Sequence, residues 1–241
     1  MTDEQEGINF WPAFSDAMLA VILVLLLVLG AVYMVIGERV KVAEDCQKQF
    51  AAGLPDSKKL SGRSVIAWDV VDKQSKKVLL SLEQDVHDKL LLHITFSDSV
   101  LFDDCDDKLG DEGRVVLTQV GQQIKKQIGS IVEIEILGHA DLRPPTFSAT
   151  CPFSDNLHLA SARADAVFLF LEHEANISPI EHAMSATSYG EFFPSSRELG
   201  RPYTEKDLAD ANATEQLMQK NRRVELVLRY GMKMQGCEVK N

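Results

Sequence analysis

Ile131-Val132-Glu133-Ile134-Glu135-Ile136-Leu137-Gly138-His139-Ala140-Asp141 is the stretch whose reading decides the fold. Apolar and acidic residues alternate through Val132–Ile136, the period of two that gives a strand one buried face. On its N-terminal side, Val116, Val120, Ile124 and Ile128 recur at four-residue spacing and predict an amphipathic helix over about 111–128. On its C-terminal side, Ala160, Ala164, Val167 and Leu171 make the apolar stripe of a second helix, about 156–174. Strands are expected at Lys89–Phe96 and Val224–Tyr230, with Pro179–Ser188 leading to Tyr189-Gly190-Glu191. The alternation reads βαβαβ. The polar stretch over about 195–220 has no clear period.

Working outward, Ser64–Val71 and Lys77–Leu82 read as strands around a Lys73–Lys76 turn. Gly53-Leu54-Pro55-Asp56 and Ser61-Gly62 are chain breakers, so a short connector is expected over about 54–63. Residues 37–53 read as a polar continuation of a helix that begins in the unbroken apolar run Ala17–Ile36. Twenty residues at about 1.5 Å rise match a hydrocarbon core of roughly 30 Å, and no second long apolar run exists. Phe10, Trp11 and Phe14 supply an interfacial aromatic belt at one end, with Tyr33 near the other. A cleaved signal peptide fits poorly: residues 1–16 hold no Lys or Arg, the run is too long, and Gly37-Glu38-Arg39 is a poor cleavage site.

Asp16 stands immediately before the run. An acid at a membrane helix costs about 2.5–3.5 kcal/mol at the bilayer centre and is kept for pairing or ion handling. The plain alternative is an acid favoured by the helix dipole in a first turn opened by Pro12.

Composition sets further bounds. Net charge is −11 and pI about 5.0, so the chain has no basic footprint for nucleic acid. Cys46, Cys105, Cys151 and Cys237 lie on one side of the run, an even number compatible with two disulfides in an oxidising compartment. His87, His93, His139, His158, His173 and His182 are scattered, and no Cys-x-x-Cys, nucleophile–base pair or Gly-rich phosphate loop is present. Neither enzymatic activity nor a metal or cofactor is expected. The acidic run from Asp103 to Glu112 lacks the frame of a calcium loop and reads as a solvated turn before a helix N-terminus.

Two groups of motifs carry a family resemblance. Phe10-Trp11, Asp16 and Met18 followed by a single apolar span resemble the membrane segment of MotB-type stator subunits, a family that includes flagellar MotB and the ZorB subunits of Zorya anti-phage systems. Val100-Leu101-Phe102-Asp103, Gly138-His139-Ala140-Asp141, Asn156–Ala164, Tyr189-Gly190-Glu191 and Asn221-Arg222-Arg223-Val224-Glu225-Leu226 occur in that order and resemble the OmpA-like peptidoglycan-binding domain over roughly residues 88–231. The fold class implied is a single N-terminal transmembrane helix followed by an α+β OmpA-like (βαβαβ) periplasmic domain. Its parts are a cytoplasmic tail 1–15, a transmembrane helix 16–36, a helical extension and connector 37–63, additional strands 64–87, the OmpA-like domain 88–231 and a C-terminal tail 232–241.

The resemblance implies an inner-membrane stator subunit, most like ZorB, that works as a homodimer inside a ring of MotA-like or ZorA-like multi-span subunits. Asp16 would carry the ion, and a flagellar-type stator and a passive tether are the alternatives. The brief tail and compact domain favour the Zorya type, although an acidic tail departs from the pattern. Positive-inside bias from Arg39, Lys41 and Lys48 argues against a cytoplasmic N-terminus, but three residues are a weak bias beside the domain's requirement for the periplasm.

For peptidoglycan, the family's ligand pair falls on Asp141 and Arg163, facing the ammonium and carboxylate of diaminopimelate, with Asn156 and Leu159 walling the pocket. A fixed anion and a planar guanidinium suit those two groups. A surface ion pair between Asp141 and Arg163 is the competing reading. Ala140 and Ala160 replace hydroxyl residues of the motif, and the loop 142–155 is longer than usual. Asn221-Arg222-Arg223 reads as structural, its arginines pairing with acids along the strand edge. In this fold the loops holding Cys105 and Cys151 meet, so these two are expected to bond. Cys46 is expected to pair with its own mate across a dimer, and Cys237 is left without a partner.

Overall fold

The computed structural model describes residues 11–60, 65–146, 148, 151–231 and 237. The tail through residue 10 with Phe10, the connector end and strand start at 61–64, Phe147, Ala149 and Thr150 of the long loop, and residues 232–236 and 238–241 lie outside the described residues. The chain divides into two units, residues 1–41 and 42–241. Helix α1 (Trp11–Ala52) supplies all of the first unit's described structure and opens the second. Among the described residues it is the one helix long and apolar enough to cross a membrane, and its described side chains from Phe14 to Arg39 are exposed.

In the second unit a mixed sheet carries helices on one face. Its strands are β1 (Ser57–Lys59), β2 (Ala67–Val71), β3 (Val78–Gln84), β4 (Leu91–Ser97), β5 (Ile131–His139), β6 (Ala183–Gly190) and β7 (Arg223–Tyr230). They lie in the order β1-β2-β3-β4-β7-β5-β6, so the last strand inserts between β4 and β5. Only β5 and β6 run parallel; the other neighbours are antiparallel. The short helix α2 (Asp98–Leu101), α3 (Asp111–Gln127) and a 3₁₀ turn at Ile128–Ser130 precede β5. Helix α4 (Asn156–His173) joins β5 to β6, and α5 (Glu205–Asp210) and α6 (Glu215–Asn221) precede β7.

Alternation builds the core. Leu92, Ile94 and Phe96 of β4, Ile134 and Ile136 of β5, and Leu226 and Leu228 of β7 are buried on one face. Val116, Leu117, Val120 and Ile124 of α3 and Ala164, Val167 and Leu171 of α4 join them in one hydrophobic cluster. Asp111 and Glu112 in the first turn of α3 and Lys125 and Lys126 in its last complement the helix dipole.

Several expectations are corrected here. The connector holds the edge strand β1, and the unpatterned stretch 195–220 holds α5 and α6. Each of these two helices is short and buries little, so it leaves no apolar stripe to read. Cys46 does not wait for a mate: it is bonded to Cys237 of the same chain, with Cα atoms 5.4 Å apart. The last turns of α1 are part of the core, with Ala43, Cys46 and Phe50 fully buried, which places Cys46 where the chain returns after β7.

Candidate functional site

Close approach of α4 to β5 creates the site. A Cβ at Gly138 would lie 2.0 Å from the carbonyl oxygen of Ala160, so only glycine lets the helix sit there. The small Ala160, which lacks the motif's hydroxyl, is buried at this contact. Asp155 caps α4, its Oδ1 accepting from the backbone N–H of His158 at 2.9 Å. That bond, with those of the His158 ring and the Ser154 hydroxyl to Oδ2, holds the Asp155 carboxyl down to about 2. Asn156, Leu159 and Arg163 then line a cavity of about 410 Å³ at the end of β5, beside Asp141.

Asp141 and Arg163 are both buried, and they do not pair with each other. Arg163 donates from Nε to the carbonyl of Asp106 at 2.9 Å and from Nη2 to the carbonyl of Asp103 at 3.2 Å, and its Nη1 forms an ion pair with Asp98 at 2.9 Å. Its guanidinium carbon lies 5.2 Å from the centre of the Phe102 ring. These contacts involve all three guanidinium nitrogens and fix the plane of the fork. Asp98 sits at the start of α2, where burial pushes its carboxyl up against the pull of Arg163 and Arg222. The acidic turn therefore has a use the sequence reading missed: its backbone carbonyls hold Arg163.

Asp141 receives three kinds of donor. The backbone N–H of Arg143 reaches Oδ1 at 2.8 Å, and the Arg143 side chain reaches Oδ2 from Nη2 at 2.8 Å and Nε at 3.1 Å. Arg222 Nη1 donates to the same Oδ2. Burial opposes ionisation, but these bonds outweigh it and hold the Asp141 carboxyl below the usual range. Both arginines extend to Glu215 on α6, each at 3.0 Å. Asn156 donates from its amide to the backbone carbonyl of Asp141 at 2.9 Å and sets the turn.

Arg222 is therefore a correction. It was expected to pair along the strand edge, and it bridges Asp141 and Glu215 in the cavity wall. Its neighbour Arg223 does lie along the strand, donating to Glu225 at 2.5 Å. Asn221, also in that motif, is buried and accepts from the backbone of Ser195 at 2.9 Å while donating to Asn212 at 2.9 Å. Asn212 in turn accepts from the backbone of Leu142 at 3.2 Å. This chain of amides ties the segment before β7 to the loop after β5.

His139 points away from the cavity. It stacks on Tyr189 with centroids 5.3 Å apart, and its Nδ1 lies 3.2 Å from the carbonyl of Phe193. Burial, reinforced by Arg223, pushes it down to about 4, so it is neutral at pH 7 and serves as a strut. Cys105 and Cys151 are bonded, with Cα atoms 5.3 Å apart. The bond holds the loop that places Arg143 and Pro145 in the cavity wall. Asp16 belongs to the other unit, exposed as the sixth residue of α1. Among the described residues no cluster of His, Cys, Asp and Glu is arranged to hold a metal.

No protein-family model and no curated protein matches the sequence. Solved structures do match. A MotB-like protein from Desulfovibrio vulgaris superposes with a TM-score of 0.50 at 24% identity, covering 64% of this chain and 80% of that one. The periplasmic domain of Helicobacter pylori MotB (residues 90–256) superposes with a TM-score of 0.50 at 19% identity, covering 68% and 86%. The fold is that of MotB periplasmic domains. One long apolar N-terminal helix followed by this α/β domain with its mixed sheet is the architecture of the chain.

Proposed function

We propose that the chain is the peptidoglycan-anchored subunit of an ion-driven motor in a bacterial inner membrane. One observation carries the reading. The same chain joins a membrane-length apolar helix bearing Asp16 to a cavity that offers a buried carboxylate and a buried guanidinium on the fold of MotB periplasmic domains. Such a cavity suits the zwitterionic end of diaminopimelate, its ammonium on Asp141 and its carboxylate on the free N–H groups of Arg163. Asn156 and Leu159 wall the space and hold the two charges apart. The domain lies in the periplasm, the N-terminus in the cytoplasm, and two copies stand inside a ring of MotA-like or ZorA-like partners. Protonation of Asp16, or its occupation by another cation, neutralises the helix start and changes its contact with the ring. A Zorya-type defence role is part of this proposal.

The test separates motor from anchor. In cells carrying the chain with its native neighbouring genes, Asp16→Asn is expected to abolish phage protection while leaving membrane insertion and retention on peptidoglycan sacculi intact. Asp141→Ala with Arg163→Ala is expected to lose retention on sacculi with folding intact by circular dichroism. Full protection by the Asp16→Asn variant leaves a passive tether; undiminished retention of the double variant removes the cavity from the wall contact.

A further inference from the structure

Asp141 is the group that a ligand ammonium needs, and the structure places another cation on it. The Arg143 fork holds Oδ2 from Nε and Nη2 at 3.1 and 2.8 Å, and Arg222 donates to the same oxygen. Three donors on one oxygen leave it no lone pair for a newcomer, while Oδ1 is engaged by the backbone of Arg143.

The two arginines are unequal. The side chain of Arg222 is 26% exposed, and that of Arg143 is 54% exposed. They also duplicate each other: Arg222 bridges Asp141 and Glu215, and Arg143 bridges the same two acids. If Arg143 swings into solvent, both acids keep a partner in Arg222. The Arg143 backbone bond to Oδ1 keeps the turn in place, so a change of side-chain rotamer suffices. That change releases two of the three bonds to Oδ2, leaving that of Arg222, and empties the loop side of the cavity, which Arg143 lines with Pro145.

We propose that Arg143 is an internal stand-in for the ligand's cation: its guanidinium occupies the seat on Asp141 that a ligand ammonium takes, and binding proceeds by exchange of one for the other. The proposal rests on the peptidoglycan reading and assigns a specificity residue within it. A ligand that brings its own cation to Asp141 restores the pairing that Arg143 gives up, and a neutral group does not, so the seat favours ammonium ligands over neutral ones. Self-occupation lowers the apparent affinity by the fraction of molecules in which the seat is taken. It also keeps Asp141 paired while the cavity is empty. The displaced pair is half-exposed, so the penalty is small.

Full-length protein in detergent micelles, titrated calorimetrically with a diaminopimelate-bearing tripeptide, tests this. Arg143→Gln is expected to bind about two- to fivefold tighter than the wild type, the range set by an exposed ion pair. Arg143→Lys, which retains a cation at the seat, is expected to stay within about twofold of the wild type. Arg163→Ala reports on the wall reading itself and is expected to weaken binding at least about tenfold, as loss of a charge-assisted contact does. Equal or weaker binding by Arg143→Gln, with Arg163→Ala still impaired, overturns the stand-in alone. Tightening by Arg143→Lys as large as that of Arg143→Gln overturns it too, since loop loosening then explains both. A tripeptide that ignores Arg163→Ala, or fails to bind the wild type, overturns the wall reading and this inference with it.

Discussion

At the scale of single residues, two histidines on the sheet face away from the helices oppose each other in pH. His139 is buried and pushed down to about 4 by burial and Arg223. Its folded pKa lies below the unfolded value near 6.5, so the unfolded chain takes up the proton first as pH falls. Stability is therefore lost through the window from about 6.5 down to 4. His93 has the opposite sign. Burial opposes its charge, but Glu225 at 3.5 Å and Asp85 at 3.2 Å outweigh that and raise it, with Glu83 opposite in register on β3. Its contribution is present below about 6.5 and is lost as pH rises through the raised value. Below 6.5 the His93 contribution is essentially complete, which isolates His139. Between pH 6.5 and 5 the wild type is expected to lose about 2 kcal/mol in urea titrations from this group. His139→Gln is expected to flatten that slope; an unchanged slope removes His139 as its source.

Among the elements, the decisive contact is α4 on β5, because Asn156, Leu159 and Arg163 reach Asp141 only if the helix sits against Gly138. Gly138→Ala puts a Cβ 2.0 Å from a backbone carbonyl that cannot rotate away. It is expected to cost about 1–3 kcal/mol, as overpacking does, and to weaken peptidoglycan retention as α4 backs off. Gly110→Ala is the control, since its nearest contact is 3.8 Å. Equal stability of the two variants means that α4 accommodates the methyl group. The elements with strong periods were legible in the sequence: β5, α3 and α4 each turn an apolar face to the core, which is what the period of apolar residues records, and β7, buried on both faces, reads as a near-continuous apolar run. Helix α5 buries no residue and α6 only Asn221, so their signal was in their caps, with Thr204 and Asp207 forming a capping box and Thr214 capping α6. The site was half legible. Asp141 and Arg163 stood in motifs, but Arg143 and Arg222 acquire their roles through Glu215, which is 72 residues from Arg143, and no local spacing encodes such a contact. Asp98 was hidden the same way, its partner Arg163 coming from another element.

For the whole molecule, the question is what closes the second unit on itself. The end of α1 docks through a buried amide network. Gln127 donates to the carbonyl of Cys46 at 3.0 Å, Gln123 to that of Gly53 at 2.8 Å, and Gln84 to the side chain of Gln47 at 3.0 Å. Tyr230, at the end of β7, donates to Gln127 at 2.9 Å. The Cys46–Cys237 bond then joins the two ends of the unit, 191 residues apart, where Cys105–Cys151 spans 46. In the chain-entropy account the longer loop restricts the unfolded chain more, about 5 kcal/mol against about 4. Loss of Cys46–Cys237 through Cys46→Ser with Cys237→Ser is therefore expected to lower the melting temperature more than loss of Cys105–Cys151. Both bonds are also distinguishable by where they lie. A bond within the chain leaves the protein monomeric on a non-reducing denaturing gel, even if two copies associate in the membrane. A bond from Cys46 to its mate runs as a covalent dimer that dithiothreitol collapses. The expected outcome is a monomer band from which peptide mapping recovers Cys46 joined to Cys237. A reductant-sensitive dimer band that disappears in Cys46→Ser would return Cys46 to the dimer axis and leave Cys237 without its bond.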